Sequence, residues 1–335
     1  MSGTEAVIST AGLRKRYGRT EALRDLTMDV GPGEAFGFLG PNGAGKTTAV
    51  KLLLGLARPT GGGGSVLGRP LGDRDARRRI GYLPELFRYQ PWLRGHEVLG
   101  LHADLLGLSG GPRRQTVLDD TLGLVGLSDR AGDQVATYSK GMQQRLGLGV
   151  ALLGDPALVF LDEPTSALDP IGRIDVREII RTVRARGTSV FLNSHLLSEV
   201  ELICDRVAIV DHGRVLAVGG LDALLGQPEV RIRVTDLEAG AITKLEVFGT
   251  TTVTGEWLTI RPIDTQRVPD VVAAIVGGGG RVHAVDVGRI SLEDRFRGLV
   301  AAASSGSSGD SPTPSSPTPD QAGSADPQAV PGWPR

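Results

Sequence analysis

Nine consecutive residues, Gly40-Pro41-Asn42-Gly43-Ala44-Gly45-Lys46-Thr47-Thr48, have the types and spacing that phosphate chemistry needs. They fit the phosphate-loop pattern G-x-x-x-x-G-K-[ST]. Its glycines let backbone N–H groups turn inward, with no side chain in the way, to cradle phosphate oxygens. A helix starting at the loop's end adds free N–H groups and the positive end of its dipole. Lys46 is placed for the β- and γ-phosphates and the Thr47 hydroxyl for Mg²⁺. A second stretch, Leu158-Val159-Phe160-Leu161-Asp162-Glu163, ends four apolar residues in two carboxylates. Asp162 suits Mg²⁺, directly or through water, because that hard ion prefers oxygen ligands. Glu163 suits the orienting and polarising of an attacking water as general base. The two stretches together imply a site for a nucleoside triphosphate.

Such a site needs a strand before the loop and a helix after it. Ala35-Phe36-Gly37-Phe38-Leu39 reads as the buried strand and Ala49 to Leu56 as the helix. The strand 158–161 would then carry Asp162 and Glu163 at its C-terminal end, where open α/β sheets bind ligands. Residues 6–34 alternate like strands, with turns at 17–19 and 31–34. Residues 87–153 are helical in pattern, broken by a Gly/Pro loop at 108–112. Further apolar strands alternate with helices to residue 204, then a hairpin forms around His212-Gly213. This alternation predicts a mostly parallel sheet covered on both faces. From 230 to 287 the order becomes β-α-β-β-α-β, which predicts a small ferredoxin-like unit. From Ala303 the chain is Ser, Pro, Gly and Asp in low-complexity order, too poor in apolar residues to offset its ordering entropy.

Composition narrows the class. Lys+Arg 37 against Asp+Glu 38 leaves no basic excess, so no nucleic-acid partner is expected. The single cysteine, Cys204, excludes an internal disulfide framework and sits in an apolar stretch, as a buried, inert thiol would. No charged-then-apolar leader opens the chain. No apolar run approaches the ~18 residues that cross a bilayer, so any membrane connection runs through a partner.

Tyr138-Ser139-Lys140-Gly141-Met142-Gln143-Gln144-Arg145 resembles the signature segment of ATP-binding cassette (ABC) ATPases, usually written L-S-G-G-Q. It lies shortly before the Asp162 strand, as in that family. The match continues with Ser166-Ala167-Leu168-Asp169 (the D-loop) and Asn193-Ser194-His195 (the switch histidine). Tyr17 falls where an aromatic residue stacks on adenine. The resemblance covers about residues 6–220.

The resemblance implies a P-loop NTPase fold with a helical subdomain, ATP and Mg²⁺ as ligands, and head-to-tail homodimers. Each ATP would lie between one subunit's loop, residues Gly40 to Thr48, and the other's signature. Ser139 and Gly141 would touch the γ-phosphate across the interface, His195 would hydrogen-bond it, and Asp169 would couple the two sites. Ser139 and Asp169 also fit plain N-cap roles. Two motifs depart from the pattern. The signature carries Tyr138, Lys140 and Met142 where Leu, Gly and Gln are usual. Glu85 replaces the Q-loop glutamine; it can still ligate Mg²⁺, beside Thr47 and Asp162, but adds charge near the γ-phosphate.

The stretches Ile80 to Glu85 and Ser194 to Glu201 look most like ATPase subunits of type-2 exporters, the drug- and antibiotic-resistance group. The implied enzyme hydrolyses ATP, with Glu163, His195 and Lys46 catalytic, and powers export through a separate membrane-spanning subunit. It would sit in the cytoplasm, peripheral on the membrane's inner face through that partner. The alternative is a soluble ABC ATPase acting on ribosomes or nucleic acid; one phosphate loop and no heptad run argue against it. The domain reading is an ATPase domain at 1–220 (helical subdomain about 87–153), a small α+β domain at 221–302 and a disordered tail at 303–335. Residues 85–107 are expected to dock the membrane subunit, with Phe87, Tyr89, Trp92 and Leu93 as anchors.

Overall fold

The computed structural model describes residues 5–306 apart from 109, 167, 227, 238, 289 and 290. The chain opens with the hairpin β1 (Ile8–Tyr17) and β2 (Thr20–Val30), then β3 (Ala35–Leu39) and α1 (Lys46–Leu53). Next come β4 (Gly61–Val66), β5 (Arg69–Pro70), the one-turn α2 (Arg74–Arg77) and β6 (Ile80–Leu83). Three helices follow: α3 (Gly95–Leu105), α4 (Pro112–Leu124) and α5 (Lys140–Leu152). The chain returns to the sheet with β7 (Leu158–Asp162), α6 (Pro170–Ala185), β8 (Ser189–Asn193), α7 (Leu197–Ile203), β9 (Arg206–Asp211) and β10 (Arg214–Gly220).

These strands form one ten-stranded sheet in the order β5-β4-β1-β2-β10-β9-β3-β8-β7-β6. Its body, β9-β3-β8-β7-β6, is parallel, while β1, β2, β4 and β5 make an antiparallel wing and β10 pairs back on β9. Every residue of β3, β7 and β8 is buried, as strands covered on both faces must be. Register puts Phe36, Phe191 and Phe160 side by side, with ring centroids 5.9 and 5.1 Å apart. They pack with Ala49, Val50, Leu52 and Leu53 of α1 on one face. The other face carries a second core with α5, α6 and α7, which buries Cys204 and pushes its thiol pKa up. The consequence for function is geometric. Leu39, Asn193, Asp162 and Leu83, the last residues of four parallel neighbours, end on one edge of the sheet.

The three-helix segment corrects one expectation. Phe87, Tyr89 and Leu93 pack against its core; Phe87 and Tyr89 rings lie 5.5 Å apart, and Tyr89 meets His102 edge-on at 5.8 Å. They are partly buried, because apolar side chains on a loop gain by filling the space beside α3 and α5. Of the four expected anchors only Trp92 stays outside, 66% exposed, joined by Leu86, Leu101 and Leu105. Leu101 and Leu105 share one face of α3, four residues apart.

Beyond β10 come α8 (Leu221–Leu225), β11 (Glu229–Thr235), α9 (Ala239–Leu245), β12 (Thr250–Thr254), β13 (Trp257–Arg261), α10 (Val268–Gly277), β14 (Arg281–Gly288) and α11 (Leu292–Gly306). The antiparallel sheet β12-β13-β11-β14 has its own core around Val230, Ile232, Leu258, Ile260, Val271 and Ile275. Packing divides the chain differently from the expected limits at 221 and 302. Leu221 and Leu292 are buried in the first domain's core, with Phe296 and Leu299 against it, so α8 and α11 belong there. The reason is the apolar stripe Leu292, Phe296, Leu299, spaced i, i+4, i+7. α11 also runs to Gly306, past the expected start of the tail at 303. The rest of that tail, 307–335, lies outside the described residues.

Candidate nucleotide site

Between β3 and α1 the loop turns through Gly43 (φ 83°) and Gly45 (φ 100°), conformations that glycine reaches without strain. Space demands glycine too, since a Cβ on Gly45 would strike the Ala22 carbonyl and one on Gly40 the Val210 carbonyl. Gly45 is the N-cap of α1 and no side chain caps that end. The first-turn N–H groups of α1 therefore stay available to an anion. Lys46 curls back over the loop, its Nζ donating to the Gly40 carbonyl at 2.6 Å and the Pro41 carbonyl at 3.2 Å. Burial lowers the Lys46 pKa, and the carboxylates of Glu163, Asp162 and Glu85 oppose that shift.

Across the cavity, parallel pairing sets Asp162 beside Asn193. Asn193 Nδ2 donates to Asp162 Oδ1 at 2.5 Å, fixing which way that carboxylate faces. Burial raises the Asp162 pKa; the Asn193 bond works against this, while Glu85 and Glu163 add to it. Glu163 leaves the strand in the left-handed region (φ 52°), with its N–H donating to the Asn193 carbonyl at 2.8 Å. Such a backbone costs on the order of 1–3 kcal/mol for a non-glycine residue and turns the side chain into the cavity. There Glu163 Oε1 accepts the His195 N–H at 2.9 Å and Oε2 meets His195 Nδ1 at 2.8 Å. A carboxylate gripped at both oxygens by one residue is held in a single orientation.

Gly40, Pro41, Asn42, Gly43, Gly45, Lys46, Thr47, Thr48, Glu85, Asp162, Glu163 and His195 all line one cavity of about 580 Å³. Ala44 of the same loop is buried behind it. The cavity does not include Tyr17, Ser139, Gly141 or Asp169. The Tyr17 ring is 48% exposed at the tip of the β1–β2 hairpin, with Lys15 Nζ 4.8 Å from its centroid. Ser139 caps α5 by accepting the Met142 N–H at 3.2 Å, and Asp169 caps α6 by accepting the Gly172 N–H at 2.9 Å. Within one chain both residues play the plain capping role. Tyr138, the signature's first departure, is buried and donates its hydroxyl to the Arg130 carbonyl at 2.7 Å.

Asn193, Ser194, Ala22 and Phe296 also line the cavity, though sequence reasoning gave none of them a role. Asn193 had a readable signal, a polar residue ending an apolar strand beside Asp162. Phe296 had none, since it lies 101 residues beyond His195.

The residues present fit Mg²⁺. Thr47, Asp162 and Glu85 offer only oxygen donors to one cavity, and beside Asp162 the buried Asn193 Oδ1 has no hydrogen-bond partner. Among the described residues no group of three His, Cys, Asp or Glu side chains could hold a metal alone. Mg²⁺ suits such a sparse set, because it relies on substrate phosphates and water for its remaining ligands.

A family profile described as "ABC transporter" matches residues 23–166. An uncharacterized ABC transporter ATP-binding protein of Nostoc sp. (strain PCC 7120) is 43% identical over 303 residues, 88% of this chain and 89% of its own. A fluoroquinolones export ATP-binding protein of Mycobacterium tuberculosis is 41% identical over 238 residues, 69% of this chain and 77% of its own. Among solved structures, one titled as the ATP binding subunit of an ABC transporter superposes with a TM-score of 0.60 at 34% identity. It covers 65% of this chain and 91% of that one.

Proposed function

The chain belongs to the family of ABC transporter ATP-binding proteins, and from that premise we propose that it powers export through a separate membrane-spanning subunit, as a head-to-tail homodimer using Mg²⁺-ATP. As a member of that family it binds ATP and hydrolyses it to ADP and phosphate in support of transport. The observation that carries the catalytic reading is the convergence of Lys46, Thr47, Asp162, Glu163 and His195 on one cavity. Export is supported by the fluoroquinolones export protein among the relatives.

In this reading the triphosphate lies along the loop, and Lys46 exchanges the Gly40 and Pro41 carbonyls for phosphate oxygens. Thr47, Asp162 and Glu85 would hold Mg²⁺, with Asn193 keeping Asp162 turned towards it. When bound, that ion neutralises charge on the phosphates of the substrate. Glu163 takes the proton from the attacking water. His195 keeps Glu163 in place and leaves its outer ring edge for the γ-phosphate. Ser139 and Gly141 would complete the site from the other subunit, where the N-terminus of α5 suits an anion. Asp169 would pass the state of one site to the other, and Tyr17 would flank the adenine. Monomer and dimer populations measured with and without Mg²⁺-ATP test this arrangement directly.

No helix among the described residues is long and apolar enough to cross a membrane. The partner would supply the pathway, and this subunit would lie on the cytoplasmic face of the membrane. Its dock is the exposed apolar set Leu86, Trp92, Leu101 and Leu105, aromatic and aliphatic anchors left without cover. Cysteines at Trp92 and Leu101 should crosslink to cysteines in the partner's cytoplasmic loops. Crosslinks confined to β11–β14 would move the dock elsewhere.

Among the described residues, all that line the cavity lie before residue 297. Truncation after Gly306 is therefore expected to leave kcat and KM for ATP within about twofold, the range of changes remote from a site. A tenfold loss in the folded truncation would give 307–335 a part in turnover.

A further inference from the structure

We propose that Phe296, on the C-terminal helix α11, is a positioning residue for ATP hydrolysis that sets the switch histidine against the general base. The proposal rests on the roles given above to Glu163 and His195. Its starting point is where the chain goes after β14: it returns to the first domain and lays α11 along α7, the helix that begins two residues after His195. The seat is specific. Leu292 is fully buried in that domain's core and its N–H donates to the Glu201 carboxylate on α7. Leu299 packs against the same core from the next turns of the helix.

Those anchors bring Phe296, half-buried, to the rim of the nucleotide cavity, which it lines together with Lys46, Glu163 and His195. Phe296 also lines a second groove, shared with His195, Leu196, Leu197 and Val300. The segment 195–198 thus has the base on one side and α11 on the other. Its own bonds are local, the Leu196 N–H donating to Ser194 Oγ at 3.1 Å and the Leu196 carbonyl accepting from Glu199 and Val200 of α7, so where the segment sits follows where α7 and Leu197 are packed. The His195 side chain is 57% exposed, and its ring is tied to Glu163. A phenyl ring can neither transfer a proton nor bind phosphate. What it can do is cover Leu197 and deny the loop the space to swing outwards. A helix from the far end of the chain then determines how firmly His195 grips Glu163.

The test is a double-mutant cycle on the full-length protein. Phe296→Ala is expected to lower kcat about tenfold, within the loss that slight misplacement of a catalytic group brings. ATP affinity should stay within about twofold, because the phosphate contacts are untouched. Phe296→Leu refills most of the space and should recover most of the rate. His195→Ala should lose more, and adding Phe296→Ala to it should lose nothing further, as for residues acting through one another. Parental kcat in Phe296→Ala, or losses that multiply in the double variant, would overturn the positioning role and leave the site reading intact. Unchanged kcat with a raised KM would overturn it too, making Phe296 a nucleotide contact. Parental turnover in His195→Ala would remove the site reading and the proposal together. Should Phe296→Ala fold poorly, Phe296→Val, which opens part of the same space, takes its place in the cycle, with a fall in kcat that vanishes on the His195→Ala background expected and an unchanged kcat or multiplying losses overturning the proposal.

Discussion

Glu163→Gln is expected to cut ATP turnover by about 10²–10⁴-fold, the usual loss with a general base, while ATP still binds. The amide keeps the size of the carboxylate and much of its anchoring. Its oxygen can accept the His195 N–H that Glu163 Oε1 accepts at 2.9 Å, and its NH₂ can donate to a neutral ring nitrogen at the place of Nδ1. What it cannot do is take a proton from water. The left-handed backbone at Glu163 aims the new side chain the same way. Removing one negative charge next to Lys46 and Asp162 also lessens repulsion of the triphosphate, so affinity should hold or rise. The ATP-bound dimer should then persist, visible as a shift in size-exclusion chromatography with Mg²⁺-ATP, while phosphate release nearly stops. Parental phosphate release would mean that Glu163 is not the base. A variant that stays monomeric at saturating ATP, with the membrane subunit supplied, would count against the head-to-tail arrangement.

The stretches that carry this chemistry were legible because each is continuous in sequence. A glycine loop between an apolar strand and a helix, and four apolar residues ending in Asp162-Glu163, state their own structural context. The parallel body of the sheet followed from fully apolar strands such as β3 and β7. Backbone torsion was not legible, since nothing in the residue types marks Glu163 for the left-handed region. Nor was the choice between interior and surface for Phe87, Tyr89 and Leu93, because ring size favours either and only the fit beside α3 and α5 decides. Ser139 was open between capping and phosphate contact, and Asp169 between capping and coupling the two sites; within one chain they cap, and a second chain is needed to ask more of them.

The hardest features to read were those joining distant segments. Pairing of β7 with β8 turns Asn193 into the residue that orients Asp162. The seat of α11 on α7 makes Phe296 a neighbour of His195 and moves a domain limit, because an apolar stripe says that a helix packs but not against what.

Lys46→Ala should fail in the opposite way to Glu163→Gln, losing binding and dimerisation together. The ammonium is the cation that faces Glu163, Asp162 and Glu85 across the cavity, and burial already lowers its pKa against their pull. Without it, a triphosphate would meet three carboxylates with no side-chain charge from the loop to offset them. A hydrogen bond to a charged group contributes about 1.5–3 kcal/mol, so ATP affinity should fall roughly ten- to a hundredfold or somewhat more. Turnover should fall at least as far, since the same contact serves the transferring phosphoryl group. Lys46→Arg is the informative companion: it keeps the charge, but a planar guanidinium cannot follow the compact ammonium into the space below the Gly40 and Pro41 carbonyls. Partial recovery of affinity without recovery of rate is the expected result. The measurement is the ATP-dependent rise in Tm alongside nucleotide titration, because a ligand that binds only the folded state raises stability with its saturation. The parent and Glu163→Gln should both show that rise, and Lys46→Ala should show little of it. An undiminished rise in Lys46→Ala would mean that the loop's backbone N–H groups alone hold the phosphates, and the role given to Lys46 would fall.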